Sequence, residues 1–363
     1  MKLMFILLPI VYLSANAYLF WRVLQTLSGL PLWAKVVVGI LFWFAAFSLF
    51  ISFGLKDTAL PQTIHRILFN VGAVWMVFLL YSVLLLLAFD LIHHFVPSLG
   101  SGLKYVLPLV CLLMIYGYIN YRNPSVEHID MAVEGQMDGE ITAVAISDVH
   151  LGHGTGPEDL ARYVDRINAQ NPDVIFIAGD LIDNSVRPLL VEPFDDVLSR
   201  LNAPMGIYMV PGNHEYISGI EDVADYLANR TRIRLLRDEM VELPCGLQIV
   251  GRDDRSNENR HSLDSLLART DPLKPVLVLD HQPYELAQTD AAGVDIQISG
   301  HTHNGQLWPL NHLVDMMYEQ GHGYRKWSHA HIYVSSGLSL WGPPFRIGTE
   351  SDFAVLKIYR RPE

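Results

Sequence analysis

A chain of 363 residues, half of them apolar and only 18% charged, has room for a membrane part and one large soluble domain. Residues 1–122 hold seven Lys or Arg and two acids, Asp57 and Asp90; residues 123–363 hold 19 Lys or Arg against 36 Asp or Glu, a formal −17. So acidic a domain repels polyanions, which argues against a nucleic-acid partner, and two scattered cysteines, Cys111 and Cys245, suggest no disulfide framework.

Four apolar stretches open the chain, at 3–21, 32–54, 67–92 and 104–120. A helix crosses a bilayer in roughly 20 residues, and Trp21, Trp33, Tyr105 and Tyr121 stand near segment ends, where amphipathic rings favour the interface. Residues 1–122 are therefore expected to form an anchor of about four transmembrane helices. The first stretch also has the marks of a signal peptide, Lys2 and the small-residue site Ala15-Asn16-Ala17, but its apolar run continues to Trp21, which favours retention. Lys2, Lys56, Arg66 and Arg122 on one side outnumber Arg22, Lys35 and Lys104 on the other, which places the soluble part on the cytoplasmic face of a cell membrane. Asn16 and Asn70 are the main polar groups inside the spans, too few for a transport path.

Residues 123–139 read as a polar connector and 140–363 as the soluble domain. There, strands are expected at 141–147, 174–178, 207–210, 247–250, 276–279, 296–299, 332–335 and 353–358, with helices at 157–168, 191–201 and 220–229. That alternation implies an α/β sandwich. Polar residues follow the strands directly: Asp148-Val149-His150, Gly179-Asp180, Gly212-Asn213-His214-Glu215, Asp280-His281 and Gly300-His301-Thr302-His303. Ligands bind beyond the strand C-terminal ends of such sheets, so five ends converge on one site.

The donor set mixes carboxylate, imidazole and amide without thiolate, which suits Mn, Fe or Zn. Asp180 is the natural bridge between two ions, and Gly179, Gly212 and Gly300 let the backbone turn so that ligands face them. His214, beside Asn213, is placed to protonate a leaving oxygen. Alone, an Asp-x-His pair is an ordinary loop pair and Gly-Asn-His-Glu a turn; five pieces in order are not.

As an ordered set these motifs resemble the signature of the calcineurin-like metallophosphoesterases, over roughly residues 140–360. The resemblance implies a four-layer αββα sandwich, two divalent metal ions with manganese favoured, and attack of a metal-bridging hydroxide on a phosphoester. It implies that Asp148, His150, Asp180 and His303 hold one ion, and Asp180, Asn213, His281 and His301 the other. Asn304-Gly305-Gln306, Tyr333 to Gly337, and Pro343, Phe345 and Arg346 are similar to a membrane-associated bacterial branch, some of whose members cleave the pyrophosphate of UDP-diacylglucosamine-like lipids. The phosphoprotein phosphatases of the family carry Asp-Arg-Gly after the second motif; Asp183-Asn184-Ser185 here lacks the Arg, which argues against a phosphoprotein substrate. A phosphodiester or pyrophosphate, lipid- or nucleotide-linked, is expected instead. The alternative is a membrane-bound binding or regulatory module without turnover, against which the complete ligand set speaks.

Other groups carry less. Asp280 is either a partner tuning His281 or a solvated loop acid. Arg252 to Arg255 reads as a polar loop rather than a phosphate clamp. His153 and Asp183 are candidate pocket residues, His93-His94 an interfacial pair, and His312, His322, His329 and His331 match no metal spacing. The stretch 308–318, with Met316 and Met317, is an ordinary packed segment or a cap that admits an amphiphilic substrate.

Overall fold

The computed structural model describes residues 2–55, 58, 60–100 and 102–361; Lys56, used in the topology count, lies outside them. Two compact units are present: Met1–Ile119 with Gly342–Phe345, and Asn120–Trp341 with Arg346–Glu363.

In the first unit the apolar stretches form α1 (Lys2–Thr26), α2 (Leu32–Gly54), α3 (Gln62–Phe95) and α4 (Leu103–Tyr121). All four are long and apolar enough to cross a membrane. Pro31 and Pro61 stand just before α2 and α3, where a missing N–H breaks no helical bond. Two sets of polar groups inside the bundle satisfy one another. Asn16 is fully buried and accepts the Trp75 indole N–H at 2.9 Å, while Arg22 and Tyr18 donate to Asp90 at 2.5 Å each. These bonds tie α1 to α3, as apolar surroundings demand of buried polar groups.

The second unit is built on twelve strands among the described residues. They are β1 (Ser125–Val133), β2 (Glu140–Ile146), β3 (Val174–Ile177), β4 (Ile207–Met209), β5 (Ile233–Leu235), β6 (Glu239–Glu242), β7 (Gln248–Gly251), β8 (Val276–Leu279), β9 (Ile296–Ser299), β10 (Gly323–Lys326), β11 (His331–Val334) and β12 (Asp352–Arg360). They make two mixed sheets, ordered β1-β12-β2-β3-β4-β5 and β10-β11-β9-β8-β7-β6. Strands β2 to β5 run parallel, as do β7, β8, β9 and β11. All eight expected strands are present to within two residues at each end. Four more, β1, β5, β6 and β10, were not expected, and each is an edge. Strand β1 occupies most of the supposed connector 123–139: it pairs with β12 along nine residues, and its alternate side chains Ile129, Met131 and Val133 enter the core.

Period-two patterning splits each central strand between two cores. Val174 and Phe176 of β3 face the second sheet, together with Leu277 and Leu279 of β8. Ile175 and Ile177 face the opposite way, against Leu160, Val164 and Ile167 of the amphipathic helix Pro157–Asn168. Helices Leu263–Leu267 and Leu286–Ala291 contribute to smaller cores with residues of β7, β8 and β11. The result is the expected four-layer αββα sandwich, with the C-terminal ends of its parallel strands at one rim.

Candidate metal centre

The ends of β2, β3, β8 and β9 bring their polar residues into two groups. Asp148, His150 and His303 offer ligand atoms that lie within 4.8 Å of one another, and so do Asp180, His281 and His301. In the first, Asp148 Oδ1 is 3.3 Å from His303 Nε2, and the two ring nitrogens His150 Nε2 and His303 Nε2 are 3.1 Å apart. In the second, Asp180 Oδ2 lies 3.1 Å from His281 Nε2. The same Asp180 oxygen is 3.9 Å from His150 Nε2, so Asp180 stands between the groups.

Local structure aims these atoms. His281 Nδ1–H donates to Ala178 O at 2.7 Å, which turns Nε2 inward toward Asp180. Nε2 is buried and has no hydrogen-bond partner, and Asn213 Oδ1 is likewise buried and orphaned. Asp148 accepts from Ser147 Oγ at 2.5 Å and from the His301 amide at 3.0 Å. Asp180 Oδ1 accepts the His214 amide at 2.9 Å. Buried acceptors left without donors, beside carboxylates in a closed site, are what divalent cations would complete. The donor set therefore fits two such ions.

The glycines act otherwise than expected. Only Gly179 uses a left-handed φ, +86°; Gly212 does not, and its role is clearance, since a Cβ there would fall 2.1 Å from Asp180 Oδ1.

Burial alone would raise Asp148, but the neighbouring His303, His150 and His281 hold it well below the usual carboxylate range. Asp180 is lowered in the same way, chiefly by His281 against the effect of burial. Burial takes His303 down to about 3 and His301 to about 4, so both rings are neutral lone-pair donors.

The site contains two residues that the sequence reading did not promote. Asp183 is buried, with its carboxylate 3.2 Å from His214 Nδ1 and its carbonyl taking that nitrogen's N–H at 2.8 Å. Burial would depress His214, but the bonds and charge of Asp183 and the charge of Asp180 push it up to about 9. Glu215 is fully buried and accepts the amides of Gly212, Asp180 and Ile182 at 2.7 to 2.9 Å. Burial, joined by the charge of Asp180, pushes it up to about 7, against those amide bonds. It holds the β3 and β4 ends together. The Gly-Asn-His-Glu spacing, with the acid three residues after the turn at a helix start, was the available signal.

Asp280 is no solvated loop acid. It is buried, bonds Arg252 at 2.8 Å and Arg260 at 3.3 Å, and leaves His281 to Ala178. His331 bonds Tyr324 and the Ala132 carbonyl, a structural role. Segment 308–318 is not a packed loop: helix Asn311–Met317 buries Val314 and leaves Leu313, Met316 and Met317 exposed, Met316 by 82%.

Residues 141–305 match the model of the family described as calcineurin-like phosphoesterase. A Helicobacter pylori protein described as an uncharacterized metallophosphoesterase is 31% identical over 276 residues, 73% of each chain. The chain belongs to the calcineurin-like phosphoesterase family. Another relative, an uncharacterized metallophosphoesterase of Campylobacter jejuni, is 28% identical over 370 residues and aligns with 96% of each chain, apolar helices included. A zebrafish (Danio rerio) transmembrane protein with a metallophosphoesterase domain is 31% identical over 285 residues, 71% of this chain and 64% of its own. This phosphoesterase is thus a metal-dependent hydrolase, and its His and Asp residues form clusters that could hold metal ions.

Proposed function

We propose that this membrane phosphoesterase hydrolyses a phosphodiester or pyrophosphate with two ions, one held by Asp148, His150, Asp180 and His303 and the other by Asp180, Asn213, His281 and His301. The observation that carries the reading is Asp180, standing between two groups of buried His and Asp donors. Ions bound there supply Lewis acidity and lower the pKa of water toward neutrality. The rest falls to the protein. Asp180 keeps the ions adjacent, and Glu215 keeps Asp180 in place through its amide. His214, its Nδ1–H taken by Asp183, presents Nε2 as the donor for the leaving oxygen.

Manganese is the metal the family resemblance favours, and a donor set of carboxylate, amide oxygen and imidazole suits Mn, Fe or Zn. An amphiphilic substrate is supported by the exposed Leu313, Met316 and Met317 on a chain with four membrane-length helices. A multi-pass anchor ending near residue 122, with the catalytic unit facing the cytoplasm, agrees with the distribution of Lys and Arg.

Full-length protein in detergent should hydrolyse bis-aryl phosphodiesters once Mn is added, and Asp180→Asn should reduce that rate to background. Full activity in Asp180→Asn would refute the shared-ligand reading.

A further inference from the structure

Arg346 is the largest fully buried side chain among the described residues. A guanidinium so far from water is strongly disfavoured unless its N–H groups are taken. They are taken by backbone: His303 O at 2.5 Å, Ser336 O, Gly337 O at 3.4 Å, and through Nε the hydroxyl of Ser351 at 3.1 Å.

These acceptors belong to two segments that meet at one half of the metal centre. His303 is itself a candidate ligand. The turn 336–339 lies on the other, Asp148: the Leu338 amide donates to Ser147 O at 2.9 Å and the Ser339 amide to Asp148 O at 3.1 Å. Contact is close enough that a Cβ on Gly337 would stand 3.0 Å from Asp148 Cβ and 3.1 Å from His303 Nδ1. One side chain therefore joins the backbone of His303 to the turn that seats Asp148. The second group is held by other means, through Ala178 O and Glu215.

We propose that Arg346 is a positioning residue that sets the Asp148–His303 separation for one ion, and that it works through the shape of its donor fork rather than its charge. A positive charge buried near a cation site opposes cation binding, so charge cannot be the benefit. A planar fork reaching several carbonyls at once is what guanidinium supplies and ammonium does not. The inference rests on the two-ion assignment proposed above.

The test is a Mn2+ titration of full-length, chelator-stripped protein in detergent. Electron paramagnetic resonance reads free Mn2+ and the spin-coupled pair. Wild type should take up two ions and show the coupled spectrum; failure here would overturn the metal assignment itself. Arg346→Lys, which keeps the charge and loses the fork, should bind one ion as wild type does and the other about 10–100-fold more weakly, the usual effect of removing a group that orients ligands. Wild-type affinity for both ions in Arg346→Lys would overturn the proposal. If that variant does not fold, Ser351→Ala, which removes one acceptor, carries the test. Selective weakening of one ion supports the proposal, and two unchanged affinities overturn it.

Discussion

Asp148, His150, Asp180, His301 and His303 all hold φ between +49° and +73°, a region that side chains with a Cβ enter only under constraint. Such conformations cost about 1–3 kcal/mol each and persist where the surroundings enforce them. Here the enforcers are visible: Glu215 on the Asp180 amide, Ser147 on Asp148, and the His301 amide on the same carboxylate. His214 is the residue whose role separates chemistry from scaffolding. His214→Gln should slow cleavage of an alkyl leaving group by about 100-fold or more while sparing nitrophenolate, which leaves without a proton. A leaving-group series would reveal this, and Asp183→Asn should show a weaker form of it because the Asp183 carbonyl bond remains. Equal loss across the series would remove His214 as the acid. Away from the ions, burial pushes Asp352 up to about 6 despite bonds from Ser335 and Ser336 and the nearby Arg346. The fold therefore prefers its protonated form: the stability this group contributes is complete below the unfolded value near 4 and is lost as pH rises through about 6. Melting of wild type against Asp352→Asn from pH 4 to 7 should show that wild type loses stability relative to the variant across this window.

At the scale of elements, the strands that sequence patterning finds are the central ones, and those it misses are the four sheet edges. The reason is burial. Strands β3 and β8 are buried along their length and read as unbroken apolar runs, Val-Ile-Phe-Ile and Val-Leu-Val-Leu. Edge strands β5, β6 and β10 are short and half or wholly exposed, with charges such as Arg234, Glu239 and Lys326, as edges that resist further pairing should be. Strand β5 pairs with β4 across intervening helices, whereas β6 and β10 pair with the next strand, and it is their exposure that hides them. Helix Asn311–Met317 shows the same limit in reverse, since the apolar residues expected to pack are left facing out. If that face meets an amphiphilic substrate, Met316→Ser with Met317→Ser should reduce hydrolysis of lipid phosphodiesters several-fold and leave a soluble aryl diester untouched. Parallel assays on the two substrates decide it, and equal loss on both would count against the cap.

For the whole molecule, the acidic catalytic unit gathers buried carboxylates that repel one another unless cations are present. Chelation should lower the midpoint of that unit's unfolding, and Mn2+ at about 100 times its Kd should restore roughly 2.7 kcal/mol per site. Calorimetry in detergent should show the transition of the apolar bundle unmoved by either treatment. A shift in both transitions would mean that the units do not melt independently.

The seven candidate ligands, His214, the central strands and the four membrane-length helices were legible in the order of residues. Short-range rules govern them: each candidate ligand follows a strand end, and each long helix is one predominantly apolar run. The roles of Asp183, Glu215 and Arg346 were not legible, because each rests on a partner in another segment of the chain: His214 for Asp183, Asp180 and Ile182 for Glu215, His303 for Arg346. The acid after the Gly-Asn-His turn carried only a helix-start pattern, and an arginine before a terminal strand has no distinguishing local pattern. Only when β3 and β4 pair does Glu215 meet three amides, and only when the two sheets close does Arg346 become a buried fork between His303 and the turn on Asp148. Sequence order alone pointed to the candidate groups for the chemistry, and tertiary packing decided how those groups are held.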